Sequence, residues 1–253
     1  MIRREFNNGW VLFTQFDHSV LSGEIMKFWG NQIFKNIDLG PQQMYAITNH
    51  DSGWREWDSN PRINPENHFP ASFIDMYPEE QHVIWSRCFE DIPEKYSYAS
   101  ALIALHFSTF NNHLLSQNPG NRELIDFKNK INSHVSGILN IDADNFGEGL
   151  TEEVLRGLKY IQIGDIISLT FCNGWDSVTV KDVHVDINGN KTDLILESKD
   201  GLNYTVDPYP FSVRNQVFNI NGLEIEGKEF GSDTDLRTAM KNGKEVNFKF
   251  TLQ

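Results

Sequence analysis

Cysteine is scarce in this chain. Only Cys88 and Cys172 occur among its 253 residues, so a framework of disulfides and a cysteine-rich zinc site are excluded. Both lie in apolar runs typical of a buried helix, with no base close in sequence, which argues against a cysteine nucleophile.

No apolar run has the length of a signal peptide or of a membrane span. We therefore expect a cytoplasmic protein that does not act at a membrane.

Cationic side chains are also few. The chain has 22 Lys and Arg residues against 35 Asp and Glu residues, for a formal net charge of −13. A surface of this charge repels the phosphates of DNA and RNA, so a nucleic-acid polymer is excluded as a partner. A small phosphorylated ligand in a local pocket remains compatible with it. We expect a small-molecule substrate, and self-association into a homo-oligomer is left open.

Several catalytic motifs are missing. The sequence has no glycine-rich phosphate loop, no G-x-G-x-x-G after a strand, no G-x-S-x-G elbow and no H-E-x-x-H. Their absence argues against nucleotide-binding folds that use these loops, against serine hydrolases of the elbow type and against zinc proteases of the H-E-x-x-H type.

The first two-thirds of the chain has the apolar spacing of helices. Capping residues and prolines at helix starts set the bounds, with Asp17 as the expected cap of the first helix. The predicted helices span residues 17–34, 41–53, 78–91, 97–115, 122–139 and 151–172. Residues 54–77 hold three prolines and are predicted to be a surface linker.

After Gly174 the apolar spacing changes to a period of two. Residues 177–187 and 192–198 flank an Asn-Gly-Asn turn and predict a β-hairpin, and shorter strand-like runs follow at 204–211, 212–220, 223–230 and 245–250. We therefore predict a mainly α fold: a helical bundle at residues 1–175 that carries a small antiparallel β appendage at residues 176–253.

Side chains that can bind a metal interrupt the apolar helix faces. They are His18, His50 with Asp51, His106 and Asp165. A carboxylate on a buried face is costly unless it is paired or binds a cation, and Lys159 is the nearest cation to Asp165 on its own helix. A single histidine on such a face is commonly a core residue bonded to a carbonyl group. The ordered set favours one divalent ion bound by His18, His50, Asp51 and Asp165.

Two resemblances support this interpretation. The order His, His-Asp, Asp resembles the signature of the HD superfamily of metal-dependent phosphohydrolases, which implies a helical bundle and a metal. A closer resemblance, from about Trp10 to Phe211, is to a bacterial family, domain of unknown function 3891. It rests on the stretches GWVLFTQFDHSVLSG, NHDSGWREWDSNPRINP, ALIALHFSTF, LKYIQIGDIISLTFC and DPYPF. This family implies one centre formed by His18, residues 50–58, His106 and Asp165, but no activity.

Three residues after the His-Asp pair are candidates for substrate contacts. Arg55 can hold a phosphate or carboxylate with two hydrogen bonds, or form a surface ion pair with a neighbouring acid. Trp54 and Trp57 can stack on a base or sugar, or anchor a loop.

The pattern as a whole predicts a metal-dependent hydrolase that acts on a small phosphomonoester or nucleotide. The metal, expected to be manganese, iron, zinc or magnesium, would activate a water molecule. Arg55 would neutralise developing charge, and His106 would orient the substrate or accept a proton. Two alternatives stay open: an HD-like di-iron oxygenase, and a non-catalytic metal-binding or interaction module.

Overall fold

A mixed sheet of seven strands forms one layer of the fold. The structure is a computed structural model that describes residues 1–35, 39–142, 145–186 and 188–253. Within these ranges the strands are β1 (Ile2–Phe6), β2 (Gly9–Phe13), β3 (Ser177–His184), β4 (Lys191–Ser198), β5 (Asn203–Asp207), β6 (Gln216–Glu226) and β7 (Lys244–Leu252). Their order across the sheet is β1-β2-β6-β7-β5-β4-β3. Neighbouring strands are antiparallel except β5 and β7, which are parallel.

The predicted fold class, a helical bundle with a small β appendage, is wrong. The sheet is a substantial half-barrel that takes strands from both ends of the chain. Residues 2–13 form a hairpin with a two-residue turn, in which Asn7 has a φ of 50°. Strand β2 then pairs with β6, from Gly9 opposite Glu226 to Leu12 opposite Leu223. The division of the chain after residue 175 stays a prediction, although strands from both sides of it share this sheet.

The second layer consists of helices. They are α1 (Gln15–Met26), α2 (Pro41–Asn49), α3 (Arg55–Ser59), α4 (Pro78–Glu90), α5 (Ser97–Gln117), α6 (Arg122–Leu139), α7 (Phe146–Gly149), α8 (Glu152–Asn173) and, apart from this layer, α9 (Asp233–Asn242). All six predicted helices are present, but the first two end earlier than predicted, at Met26 and Asn49. The cap of the first helix is Thr14, whose hydroxyl accepts a hydrogen bond from the backbone N–H of Asp17, so Asp17 is not the cap.

The predicted strands after α8 are only partly correct. Strand β3 ends at His184, and Ile187, the last residue of the predicted run, lies outside the described residues. The runs predicted at 212–220 and 223–230 merge into the single long strand β6. Helix α9 was not predicted.

The main core lies between the helices and one face of the sheet. At its centre Phe171 of α8 stacks on Phe250 of β7 with ring centroids 4.8 Å apart, and Tyr204 of β5 packs beside both. Full burial of a side chain of this size contributes roughly 1.5–3 kcal/mol to folding. A smaller core on the other face joins Leu236 of α9 to Trp10 and Ile225.

Helix α8 lies close to α1 and α2 because it has a glycine at the point of contact. A Cβ on Gly164 would lie 3.0 Å from Cγ of Met26 and 3.2 Å from Cβ of Ser22. This close approach brings Asp165, the next residue, against the two helices that carry His18 and His50.

Within the described ranges, no helix combines the length and the apolar composition needed to cross a membrane.

Candidate metal centre

Five side chains from four elements meet below the surface. His18 comes from α1, His50 and Asp51 from the end of α2, His106 from α5 and Asp165 from α8. All five are buried, and Asp165, the most accessible, is 7% exposed. We call these five residues the His–Asp cluster. The structure thus brings together the five side chains that the sequence analysis named as candidates for one centre, while their role as metal ligands stays a prediction.

The spacing of the ligand atoms suits a single metal ion. His18 Nε2 lies 2.8 Å from Asp51 Oδ2, and His50 Nε2 lies 3.5 Å from Asp165 Oδ1 and 3.9 Å from Asp51 Oδ2. Two atoms bound to one ion at about 2.1 Å are about 3.0 Å apart when adjacent in an octahedron and about 4.2 Å when opposite. These three distances fall in or near this range. The candidate ligand atoms of His18, His50 and Asp51 all lie within 4.8 Å of one another, and so do those of His50, His106 and Asp165.

His50 offers one ring nitrogen to the cluster. Its Nδ1 donates to the carbonyl of Ile47 at 2.8 Å, which turns Nε2 towards the two carboxylates. The separation of 3.5 Å from Asp165 is longer than an ordinary hydrogen bond, and Nε2 has no other hydrogen-bond partner among the described residues. The two carboxylates thus face His50 Nε2 without a hydrogen bond of ordinary length, an arrangement that suits either a proton or a metal cation between them.

His18 is oriented by a serine that the sequence analysis did not identify. Ser168 Oγ lies 2.9 Å from both the carbonyl oxygen of Asp165 and Nδ1 of His18, and its single proton can go to either. Ser22 Oγ lies 2.8 Å from the same hydroxyl. The contact directs His18 Nε2 to Asp51, in the manner of the hydrogen bonds that orient histidine ligands of metals. The available signal was its position three residues after Asp165 on the same buried face.

The charges of the cluster are strongly coupled. Burial lowers the pKa of His50, but the carboxylates of Asp51 and Asp165 outweigh it and raise this pKa to about 9. Burial raises the pKa of Asp165, but the three neighbouring imidazoles hold it at about 2. Burial lowers the pKa of His106 to about 4, against the opposing effect of Asp165. At neutral pH and without a metal, His50 is therefore charged, Asp165 ionised and His106 neutral.

A cavity of about 540 Å³ adjoins the cluster, and we refer to it as the cavity. Asp51, His106 and Asp165 contribute to its wall, so an ion held by the carboxylates would face it. The remaining wall is largely apolar and includes the side chains of Trp54, Phe73, Trp85, Phe107, Phe110 and Leu169. Pockets of this size and character commonly hold small molecules.

Of the three residues predicted to contact substrate, Trp54 is part of the cavity wall, and Arg55 and Trp57 are not. Trp54 is buried in the cavity wall, and its indole N–H has no partner in the described part of the chain. The exposed guanidinium of Arg55 lies 3.4 Å above the ring of Phe16 and is not part of the wall. Trp57 packs under Arg62 and lines a separate surface groove. A role for Arg55 or Trp57 in the reaction would require their side chains to move.

The remainder of the run from His50 to Asp58 attaches the His–Asp pair to its surroundings. Gly53 approaches α4 so closely that a Cβ would lie 2.5 Å from the carbonyl oxygen of Ile84. Asp58 accepts a hydrogen bond from the backbone N–H of Gln15 at 2.6 Å, beside the start of α1. Gly53 and Asp58 thus have a structural role in this run.

Comparisons with known proteins identify a family but no function. The model of a family described as protein of unknown function (DUF3891) matches residues 1–226. No curated protein and no solved structure matches the chain.

Proposed function

We propose that this chain, which belongs to the family described as protein of unknown function (DUF3891), is a metal-dependent hydrolase. A divalent ion would be held by His18, His50, Asp51 and Asp165, next to a cavity that receives a small molecule. The family description names no activity, so the proposal depends on the chain's own geometry.

The observation that supports it most directly is the buried His50 Nε2. This atom lacks a hydrogen-bond partner in the described structure and lies between two carboxylates that border the cavity. Imidazole and carboxylate together suit manganese, iron or zinc, and magnesium is a poorer match because it prefers oxygen ligands. Four protein ligands leave room in an octahedral shell for water and substrate.

The chemistry divides between the ion and the cavity wall. A divalent ion supplies a Lewis acid and lowers the pKa of water towards neutrality. His106 adds a neutral imidazole, with Nε2 3.6 Å from Asp165 Oδ2 and Nδ1 without a partner among the described residues. From the cavity wall it can hydrogen-bond the substrate or accept a proton.

A second function, that of an iron-dependent oxygenase, is supported by the ligand types. His18, His50 and Asp51 form one set of two imidazoles and a carboxylate, and His50, His106 and Asp165 form another. Such a set is typical of non-haem iron oxygenases. Since Nδ1 of His50 is bonded to Ile47, only Nε2 can bind a metal, and it cannot complete both sets at once. The geometry therefore favours one iron over the di-iron centre that the sequence left open as an alternative.

Metal content is the first test. Elemental mass spectrometry of tag-free protein should find about one manganese, iron or zinc ion per chain. The ion should be lost from the double variant His50→Ala/Asp51→Ala and kept in the control His113→Ala, a histidine of the cavity wall outside the cluster. Protein that takes up no metal, even after incubation with each ion, would contradict both enzymatic functions.

Turnover then separates the functions. A hydrolase should act on its substrate equally well with and without oxygen, whereas an oxygenase should be inactive in anaerobic buffer. The phosphomonoester and nucleotide substrates predicted from the sequence belong in this screen, together with carboxylic esters and amides. A stoichiometric metal without turnover on any of them would favour the non-catalytic module, in which His50→Ala lowers stability only.

A further inference from the structure

We infer that the cavity binds a small uncharged substrate, a carboxylic ester or amide with an apolar body, in preference to a phosphorylated one. This inference rests on the proposed function, since it names the substrate class of the same site. Hydrolysis would then add water across the C–O or C–N bond, giving a carboxylic acid and an alcohol or amine that takes up the second proton of the water.

The first argument is the character of the wall and the mouth of the cavity. Apolar side chains continue from the cluster to the surface, where Ile74 is 67% exposed and Phe110 is 42% exposed. Phe110 also packs edge-on against His106, with ring centroids 4.9 Å apart, so the apolar surface reaches the cluster itself. An apolar body would cover this surface and would remove it from water.

The second argument is the balance of charge. No Lys or Arg is among the described residues of the cavity wall, whereas Asp51 and Asp165 are both part of it. The two positive charges of one divalent ion balance the two carboxylates, so no positive charge remains to bind an anion. A phosphomonoester dianion would then place two uncompensated charges among aromatic side chains, which is costly. An ester or amide brings no net charge.

The third argument is the supply of uncharged polar groups. The indole of Trp54 and the imidazoles of His106 and His113 are part of the wall. The amides of Gln15 and Gln81 and the hydroxyl of Thr109 add further uncharged polar groups. These groups match the donors and acceptors of a carbonyl compound, whereas oxyanion sites are generally formed by Arg, Lys or clustered backbone N–H groups.

The test compares two probes that share one ring and differ in charge, benzamide and phenyl phosphate. Their binding is followed by tryptophan fluorescence, since Trp54 and Trp85 border the cavity, and by the shift in Tm, with metal-free and with metal-loaded protein. We expect benzamide to bind at least about tenfold more tightly than phenyl phosphate in both forms, a difference of about 1.4 kcal/mol.

The position of the bound probe is tested with substitutions at exposed or half-buried residues, which should leave the fold intact. Phe110→Ala should weaken benzamide binding several-fold. Leu114→Lys adds a cation to the wall and should raise the affinity for phenyl phosphate. Leu115→Lys adds the same cation one position along α5, at a residue outside the wall, and should leave both affinities unchanged.

The outcomes separate this inference from the proposed function. Equal or tighter binding of phenyl phosphate, or no binding of either probe at millimolar concentration, would overturn the inference even if the metal is stoichiometric. Absence of metal together with tight benzamide binding that responds to Phe110→Ala would instead overturn the proposed function and support the character of the cavity.

Discussion

Metal binding by the cluster should release about one proton at pH 7. The two carboxylates beside Nε2 raise the pKa of His50 to about 9, so the metal-free protein carries a proton on this ring. At two pH units below the pKa, about 99% of the rings are charged. Because Nδ1 donates to the carbonyl of Ile47, the ion can bind only through Nε2, and the proton there must leave. The apparent affinity should therefore rise about tenfold per pH unit between pH 6 and 8.

Calorimetry measures this release directly. Manganese or zinc is titrated into metal-free protein at pH 7 in buffers of different ionisation enthalpy, and the slope of apparent enthalpy against buffer enthalpy counts the protons. The count should be about one at pH 7 and about one half at pH 9. His106→Ala is the control, since the pKa of His106 is about 4 and its ring is already neutral at pH 7. A slope of zero at pH 7 would refute the assignment of His50 Nε2 as a ligand atom.

Three further predictions concern stability and the surroundings of the cluster. The raised pKa of His50 stabilises the metal-free protein fully below pH 6.5, and this stabilisation is lost as pH rises through 9. Urea unfolding with chelator present should therefore show a loss of about 3 kcal/mol across that interval, and a flat profile would contradict it. Ser168→Ala should lower metal affinity about 10- to 100-fold in a chelator competition while the fold is kept, and Ser136→Ala should leave it unchanged. Gly53→Ala places a Cβ 2.5 Å from a backbone oxygen of α4 and should lower both Tm and metal content. Gly137→Ala, where the added Cβ meets nothing within 4 Å, should lower neither.

The helices and the cluster could be predicted because both follow from local pattern. Helices α5, α6 and α8 have apolar residues at helical spacing over five turns or more, with capping residues such as Thr151 at the start of α8. The same pattern shows which face is buried, so a histidine or aspartate on that face must find a partner inside. Asp165 is the clearest case, since its own helix offers no nearby cation.

The sheet could not be predicted because its pairing is not local. Strand β2 is buried along its whole length and therefore lacks the alternation that marks a half-exposed strand. Its partner β6 lies more than two hundred residues further along the chain. Helix α9 buries only Leu236 among its ten residues, so its apolar signal is weak, although Ser232 provides a cap.

The cavity wall was hidden for a different reason. Trp85, Phe107 and Phe110 have the spacing of core residues, and a single sequence does not distinguish a wall from a filled core. Arg55 shows the converse difference between sequence and structure. It lies four residues after Asp51 in sequence, but α3 directs it onto Phe16 and away from the cavity.

The break at the end of α2 explains how adjacent residues serve one centre. In a continuing helix, side chains of neighbouring residues point about 100° apart, so the side chains of His50 and Asp51 would diverge. The helix ends at Asn49, His50 is its last helical-like residue, and Asp51 turns to a φ of −108° and a ψ of 24°. Gly53 then lets the next turn pack against α4, which keeps the chain from continuing along the helix axis. The glycine two positions after the His-Asp pair thus supports the geometry of the centre without contributing a ligand.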